Sequence, residues 1–345
     1  MTTPAIPPTA REVRAAAPAS AASGAPAGLT VAEVPTPVPG PGQVLVRNQY
    51  FHVYAALRTL LAGSVPGAPY PGLNPGDPLF GPAVGEVVAA PPDSPLGPGQ
   101  LVLHPLGWRE YAAVDAAACE PADGLPDPVA YLASGATGYA ALTQVAPVRA
   151  GDTVFVAGGA GAVGSLTGQI ARLLGAGRVI GSTGSAAKAD WMTAELGYDA
   201  VVVRGAGPQT GPLAEQLAQA APDGLDVVAD LVGGEDLQAA VATARAGARF
   251  ALIGALSGQL GGGAGVTSAI QLDTFQLIVK RLTLTGYSGG HDPALVREWR
   301  ERFGGWLRSG QIRFPHRLIP GITAAPQALD DVVAGHHHGA VIIAL

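Results

Sequence analysis

The sequence predicts an α/β protein in which a small β-rich domain precedes a parallel sheet wound on both faces by helices. Three observations carry this. Up to about residue 130, short β-rich runs are punctuated by Pro and Gly. Beyond it, apolar β-branched runs alternate with stretches of helical spacing, the pattern of a doubly wound sheet. At that alternation's first strand-to-helix junction, VFVAGGAGAVGS places Gly159, Gly161 and Gly164 in G-x-G-x-x-G register.

The elements follow in order. GLTVAEVPTPVPGPGQVLVRNQY and GPAVGEVVAAPPDSPLGPGQLVLHPLGWREYAAV read as closely spaced strands. AYLASGATGYAALTQVA reads as helix, then VFVAGGAGAVG as strand and turn. Next come RVIGSTG, helix KADWMTAELG, strand DAVVV, helix AEQLAQAA, strand LDVVADLVGG, helix LQAAVATARAG, and strands RFALIGAL and LTLTGYS. DPALVREWRERFGGWLRSG is an amphipathic helix that the pair Gly304–Gly305 is expected to break, and GAVIIAL is a final strand. The GGGAG stretch from Gly261 reads as a loop of the kind that covers ligands at a sheet's carboxyl end.

Composition narrows the function. At 345 residues the chain suits two domains, and with 48 % hydrophobic content a sizeable core is available. The net charge of −6 leaves no basic footprint for nucleic acid or an anionic membrane. No stretch of about 18 uninterrupted apolar residues suggests a spanning helix. The start of the chain lacks a secretory pattern, so a cytoplasmic enzyme is expected. Cys119 is the only cysteine, which excludes an internal disulfide and a Cys-rich zinc site.

The glycine motif predicts a site for a pyrophosphate, because amide groups at a helix start face an anion with the positive end of the dipole behind them. Which nicotinamide cofactor binds depends on the end of the second strand, where an acid would hold a ribose hydroxyl and basic groups a 2′-phosphate. Here RVIGSTGSAAK offers no acid. Gly184 and Ser185 provide donors, and Lys188 follows on the next helix, one of only two lysines in the chain. Arg204 ends the adjacent strand. This pattern selects NADPH.

These residues carry a resemblance. PGPGQVLVRNQYFHVYAALR, LGWREYAAVDA, SGATGYAAL, AGAVGS with GQIA, GSTGSAAK, LGYDAVV, LVGG, IGALSG and VKRLTLTGY occur in order over nearly the whole chain. The sequence resembles the zinc-free branch of the medium-chain dehydrogenase/reductase superfamily, and within it the prostaglandin reductase or alkenal double-bond reductase family. The resemblance implies a GroES-like β-domain from residues 1–133 and 291–345, a Rossmann domain over 134–290, and NADPH in the cleft. It implies that Ala162 and Val163 supply amides to the pyrophosphate, with Thr137 beside it, and that Gly184, Lys188 and Arg204 take the 2′-phosphate. It places Ile253, Gly254, Ala255 and Leu256 at the nicotinamide end, and His337 where the family has a cofactor-side asparagine. It also implies a homodimer through Rossmann edge strands, with LTLTGYS as the candidate edge.

The implied reaction is hydride addition to the β-carbon of a conjugated enone or enal, with no metal, the enolate oxygen being held by hydrogen-bond donors. Here the chain departs from the family. The pocket tyrosine falls on Ala56, and the tyrosine of the cofactor-proximal loop on Gln259. Candidate replacements are Tyr54, Tyr287 and Gln259; cofactor ribose or water is a further proton source. His52 and Trp108 read as packing residues, and His336–His338 as a surface turn. Two other readings share these residues: a quinone reductase, and a cofactor-binding protein without redox turnover.

Overall fold

The computed structural model describes residues 5–16, 28–61, 63, 72–205, 211–260, 268–289 and 292–345. The GGGAG stretch and His291 lie outside the described residues. The chain divides into two compact units, Met1–Ala133 with His316–Leu345, and Ser134–Pro315.

The first unit holds strands β1 (Thr9–Ala15), β2 (Leu29–Pro35), β3 (Gln43–Val53), β4 (Ala83–Ala89), β5 (Leu101–His104), β6 (Tyr111–Asp115) and β7 (Glu120–Pro121), with helix α1 (Leu57–Leu61). β1 and β2 pair antiparallel with each other. The chain's last segments return to this unit as β14 (His316–Pro320), helix α10 (Ala325–Val333) and β15 (Ala340–Ala344). They complete a sheet in the order β14-β15-β3-β4-β5-β7, with β6 also pairing β3. Its core gathers Phe51, Val53, Leu57, Trp108, Val341 and Ile343, all essentially without solvent contact. Trp108 sits at φ 64°, which a buried aromatic adopts only when its surroundings hold it. Asn48 holds them, donating to the carbonyls of Leu106 and Arg109 while its Oδ1 meets His104 Nε2 at 2.7 Å. Burial keeps His104 neutral, its pKa lowered to about 3; Nδ1 accepts from the Leu106 amide.

The second unit contributes β8 (Thr153–Val156), β9 (Arg178–Thr183), β10 (Ala200–Val203), β11 (Leu225–Asp230), β12 (Ala244–Leu252) and β13 (Thr283–Gly286). Its helices are α2 (Gly135–Ala140), α3 (Gly164–Leu173), α4 (Ala186–Leu196), α5 (Leu213–Ala220), α6 (Gly234–Thr243), α7 (Leu256–Leu260), α8 (Thr274–Lys280) and α9 (Pro293–Arg308). All six strands are parallel, in the order β10-β9-β8-β11-β12-β13. Counted by appearance within the unit this is 3-2-1-4-5-6, the order of a dinucleotide-binding sheet, with its switch point beside β8. Among the described residues no helix is long and apolar enough to cross a membrane.

Three local expectations are corrected. The helix read through ARAG stops at Thr243, because Ala244 already pairs with Leu225 and the sheet claims the following residues. The reading of a helix through residues 130–146 gives way to a 3₁₀ turn over Pro128–Leu132, then α2, then a π turn over Ala141–Val145. The helix carrying Gly304 and Gly305 runs unbroken, and it belongs to the second unit although the boundary was expected at residue 291. Each interior glycine costs about 1 kcal/mol relative to alanine. An aromatic cluster offsets this: Trp299 stacks on Phe303 with centroids 4.6 Å apart and lies 5.7 Å from Tyr139 of α2. The Tyr139 hydroxyl donates to Glu298 at 2.6 Å. A Cβ on Gly135 would stand 2.3 Å from the Trp299 ring, so the glycine is what lets α9 dock on α2.

Candidate functional site

The glycine turn joins β8 to α3 at the switch point. Its positive-φ residue is Gly158, at 69°, so the tight turn falls there and not on Gly159 as the motif reading placed it. Gly159 makes room instead: a Cβ would meet Met192 Cε at 2.4 Å and the Tyr198 hydroxyl at 2.8 Å. Gly168 and Gly181 give way to the same buried Tyr198 ring, and its hydroxyl donates to the Gly164 carbonyl at 2.8 Å. Tyr198 thus braces the turn from beneath, a role nothing in the local spacing signalled. Gly164 packs helix on turn, since a Cβ there would lie 2.3 Å from the Gly158 carbonyl oxygen. Gly161 is exposed, and a Cβ on it would meet only the Gly158 oxygen at 3.6 Å. Val163, the residue before α3, supplies no side-chain cap, and the Ser165 and Leu166 amides donate to the Gly161 and Val163 carbonyls instead. Ala162 and Val163 are half-buried beside it. Thr137 of α2 neighbours Gly138, whose missing Cβ admits Thr167 from the second turn of α3.

A cationic locus forms where β9 and β10 end. Gly184 is exposed there, and a Cβ on it would come within 3.9 Å of Arg204 Nη2. Ser185 precedes α4 without capping it. Lys188 is half-buried; burial, and then the nearby Arg204 charge, lower its pKa. Two cations drawn together at a strand end favour an anion between them. Arg204 Nη1 donates to Ser182 Oγ and to Asp236 Oδ1, each at 3.0 Å. Ser182 and Asp236 escaped the sequence reading because neither belongs to the glycine motif.

At the ends of β11 and β12, Asp230 is buried and accepts from the Val232 and Gly233 amides, fixing the turn into α6. Burial raises its pKa to about 6, partly offset by those hydrogen bonds. Ile253, Gly254, Ala255 and Leu256 follow β12, all half-buried. The Asp230 carbonyl accepts from Ile253 and Gly254, while Ser257 Oγ donates to the Val232 carbonyl at 2.7 Å. Gln259 lies in α7. The Tyr287 amide donates to the Leu252 carbonyl at 2.8 Å, placing this residue at the same sheet edge, and burial raises its hydroxyl pKa.

The remaining candidates lie in the β-rich unit. The Tyr54 hydroxyl donates to the Phe80 carbonyl at 3.2 Å, and its ring fills the space opposite Gly81. His52, beneath it, is held neutral by burial, its pKa lowered to about 4. His337 Nε2 lies 3.7 Å from Asp331, and His336 also faces that carboxylate. Among the described residues no cluster of three or more His, Cys, Asp or Glu is arranged to hold a metal ion.

Residues 162–305 match a family model described as zinc-binding dehydrogenase, and residues 20–122 match one described as the N-terminal domain of oxidoreductase. Bovine prostaglandin reductase 1 is 30 % identical over 313 residues, covering 88 % of this chain and 89 % of that protein. The NADP⁺-dependent 2-alkenal reductase of Nicotiana tabacum is 28 % identical over 315 residues, 88 % of each chain. The crystal structure of CurA from Vibrio vulnificus in complex with NADPH superposes with a TM-score of 0.84 at 26 % identity, covering 97 % of this chain and 98 % of that one. With a switch-point glycine turn on a 3-2-1-4-5-6 sheet and such likeness along nearly its whole length, the chain belongs to the medium-chain dehydrogenase/reductase superfamily, in the family of the prostaglandin and alkenal reductases.

Proposed function

We propose that this protein is an NADPH-dependent ene-reductase of conjugated enones or enals that works without zinc. The observation that carries the cofactor choice is the placement of Lys188 beside Arg204 where β9 and β10 end, with no acid in the segment that follows β9 to hold a ribose hydroxyl. When bound, NADPH supplies the hydride that reaches the substrate's β-carbon. The chain's residues bind and orient. The amides of Ala162 and Val163 at the α3 start take the pyrophosphate, with Thr137 beside it. Gly184, Ser185, Lys188 and Arg204 take the 2′-phosphate, and Ile253–Leu256 form the wall at the nicotinamide end. His337 is assigned to the cofactor with them. A chain with one cysteine cannot assemble a Cys-rich zinc set, which supports a reaction without a Lewis acid.

Charge gathering on the substrate's carbonyl oxygen calls for a donor. Tyr287, Gln259 and Tyr54 are the candidates. Tyr54 would have to exchange its bond to Phe80 for the substrate. One donor aimed at a developing oxyanion is worth about 3–4 kcal/mol. Tyr54→Phe is therefore expected to lower kcat by about 100-fold or more if Tyr54 is that donor; an unchanged kcat returns it to packing.

The reading also pairs the protein with a second copy through the β13 edge. Phe275, Ile278 and Val279 on the neighbouring α8 are 65 %, 70 % and 50 % exposed, an apolar patch suited to burial. Sedimentation equilibrium is expected to give twice the chain mass, and a monomer at micromolar concentration rejects this.

The deciding experiment follows absorbance of the reduced cofactor with purified protein, chelator, and a panel of enals, enones and quinones. Oxidation of NADPH by enones that survives chelation is expected. Oxidation with quinones alone would assign a quinone reductase instead, and binding without turnover a non-redox role.

A further inference from the structure

We infer that Asp236 is a positioning residue for cofactor selection: buried beneath Arg204, it fixes the guanidinium in the pose that receives the 2′-phosphate. The inference rests on the NADPH reading above.

α6 opens with two acids that differ in placement. Glu235 is exposed, as suits an acid that only complements a helix dipole. Asp236 is 1 % exposed and turned inward. Its Oδ1 receives both the Ser182 hydroxyl and Arg204 Nη1. Its Oδ2 has no hydrogen-bond partner among the described residues. A buried carboxylate with one oxygen unsatisfied is costly, and a fold retains it more readily where it fixes a geometry.

The geometry fixed is that of Arg204. Both side-chain hydrogen bonds of the guanidinium among the described residues leave from Nη1. Nη2 faces the exposed Gly184, so the outer edge of the fork is kept for a ligand oxygen. An untethered arginine carries its rotamer entropy into binding, and tethering it beforehand reduces what the ligand must order. The tether reaches further. Ser182 Oγ, which donates to Asp236, also accepts the Gly158 amide at 3.0 Å. Ser182 Oγ thus bonds both Arg204, at the end of β10, and the positive-φ glycine of the turn, and its bond to the turn does not involve Asp236.

The test measures NADP⁺ and NAD⁺ affinities by titration calorimetry for the full-length protein, Asp236→Leu, Asp236→Asn and Arg204→Met. Asp236→Leu is expected to weaken NADP⁺ about tenfold and to leave NAD⁺ within about twofold, with KM for NADPH rising and kcat unmoved, since about 1.4 kcal/mol of lost alignment is tenfold. Asp236→Asn keeps an acceptor at Oδ1 and is expected to lose about threefold. It carries the test if the leucine variant fails to fold. Unchanged or tighter NADP⁺ binding in a folded Asp236 variant overturns the inference, because the acid would then be neutral or repulsive toward the phosphate. Arg204→Met separates the two failures. If it leaves NADP⁺ affinity untouched, the 2′-phosphate reading itself falls; if it weakens NADP⁺ while the Asp236 variants do not, only the positioning role falls.

Discussion

Lys188→Ala is expected to raise KM for NADPH by about 10- to 100-fold while KM for NADH moves less than about twofold. A hydrogen bond to a charged group is worth about 1.5–3 kcal/mol, and each 1.4 kcal/mol is tenfold. The ammonium is half-buried and carries the repulsion of Arg204, which a bound phosphate relieves. On the proposed reading, removing the lysine withdraws a contact to the 2′-phosphate, which NADH lacks. Steady-state kinetics with each cofactor checks this. Equal effects on both would remove the phosphate from this locus.

Gly164→Ala is expected to lower stability by about 1–3 kcal/mol, the cost of overpacking a tight interior, and to weaken NADPH binding at least about tenfold. The added Cβ would lie 2.3 Å from the Gly158 oxygen and 2.7 Å from Gly159 Cα. Both obstacles are backbone, so the turn itself must move. Gly161→Ala is the matched control, because its Cβ would have only an ordinary 3.6 Å contact. It should leave the denaturation midpoint unchanged and weaken the cofactor alone, by intruding where backbone meets pyrophosphate. Chemical denaturation and cofactor titration of both variants separate the two roles. A Gly164→Ala protein with native stability would show that the turn yields more easily than its geometry implies.

The doubly wound sheet was legible because its signals are local: β-branched runs, helical spacing and a glycine turn between them. The division of labour among the glycines was not. Spacing cannot tell Gly158, with φ at 69°, from Gly159, which clears space for Tyr198 nearly 40 residues on. The Ser182–Asp236–Arg204 cluster was illegible for the same reason. Ser182 and Asp236 stand 54 residues apart, and strand order, not periodicity, brings them together. The placement of α9 depended on Trp299 finding Gly135 and Tyr139 far upstream. At the substrate end, the family tyrosines fall on Ala56 and Gln259, and residue identity alone does not say which donor takes over.

The return of β15 to the first unit has a consequence for how the chain folds. β15 lies between β14 and β3, with Val341 paired to Val53 across about 290 residues of chain. The second unit is continuous in sequence and closes on near neighbours. It can therefore fold during synthesis while the Tyr50–Val53 end of β3, beyond the stretch that β6 pairs, still waits for β15 to emerge. Loss of β15 would spare the nucleotide-binding sheet and leave the other sheet open at the Tyr50–Val53 end of a central strand, a form prone to aggregate.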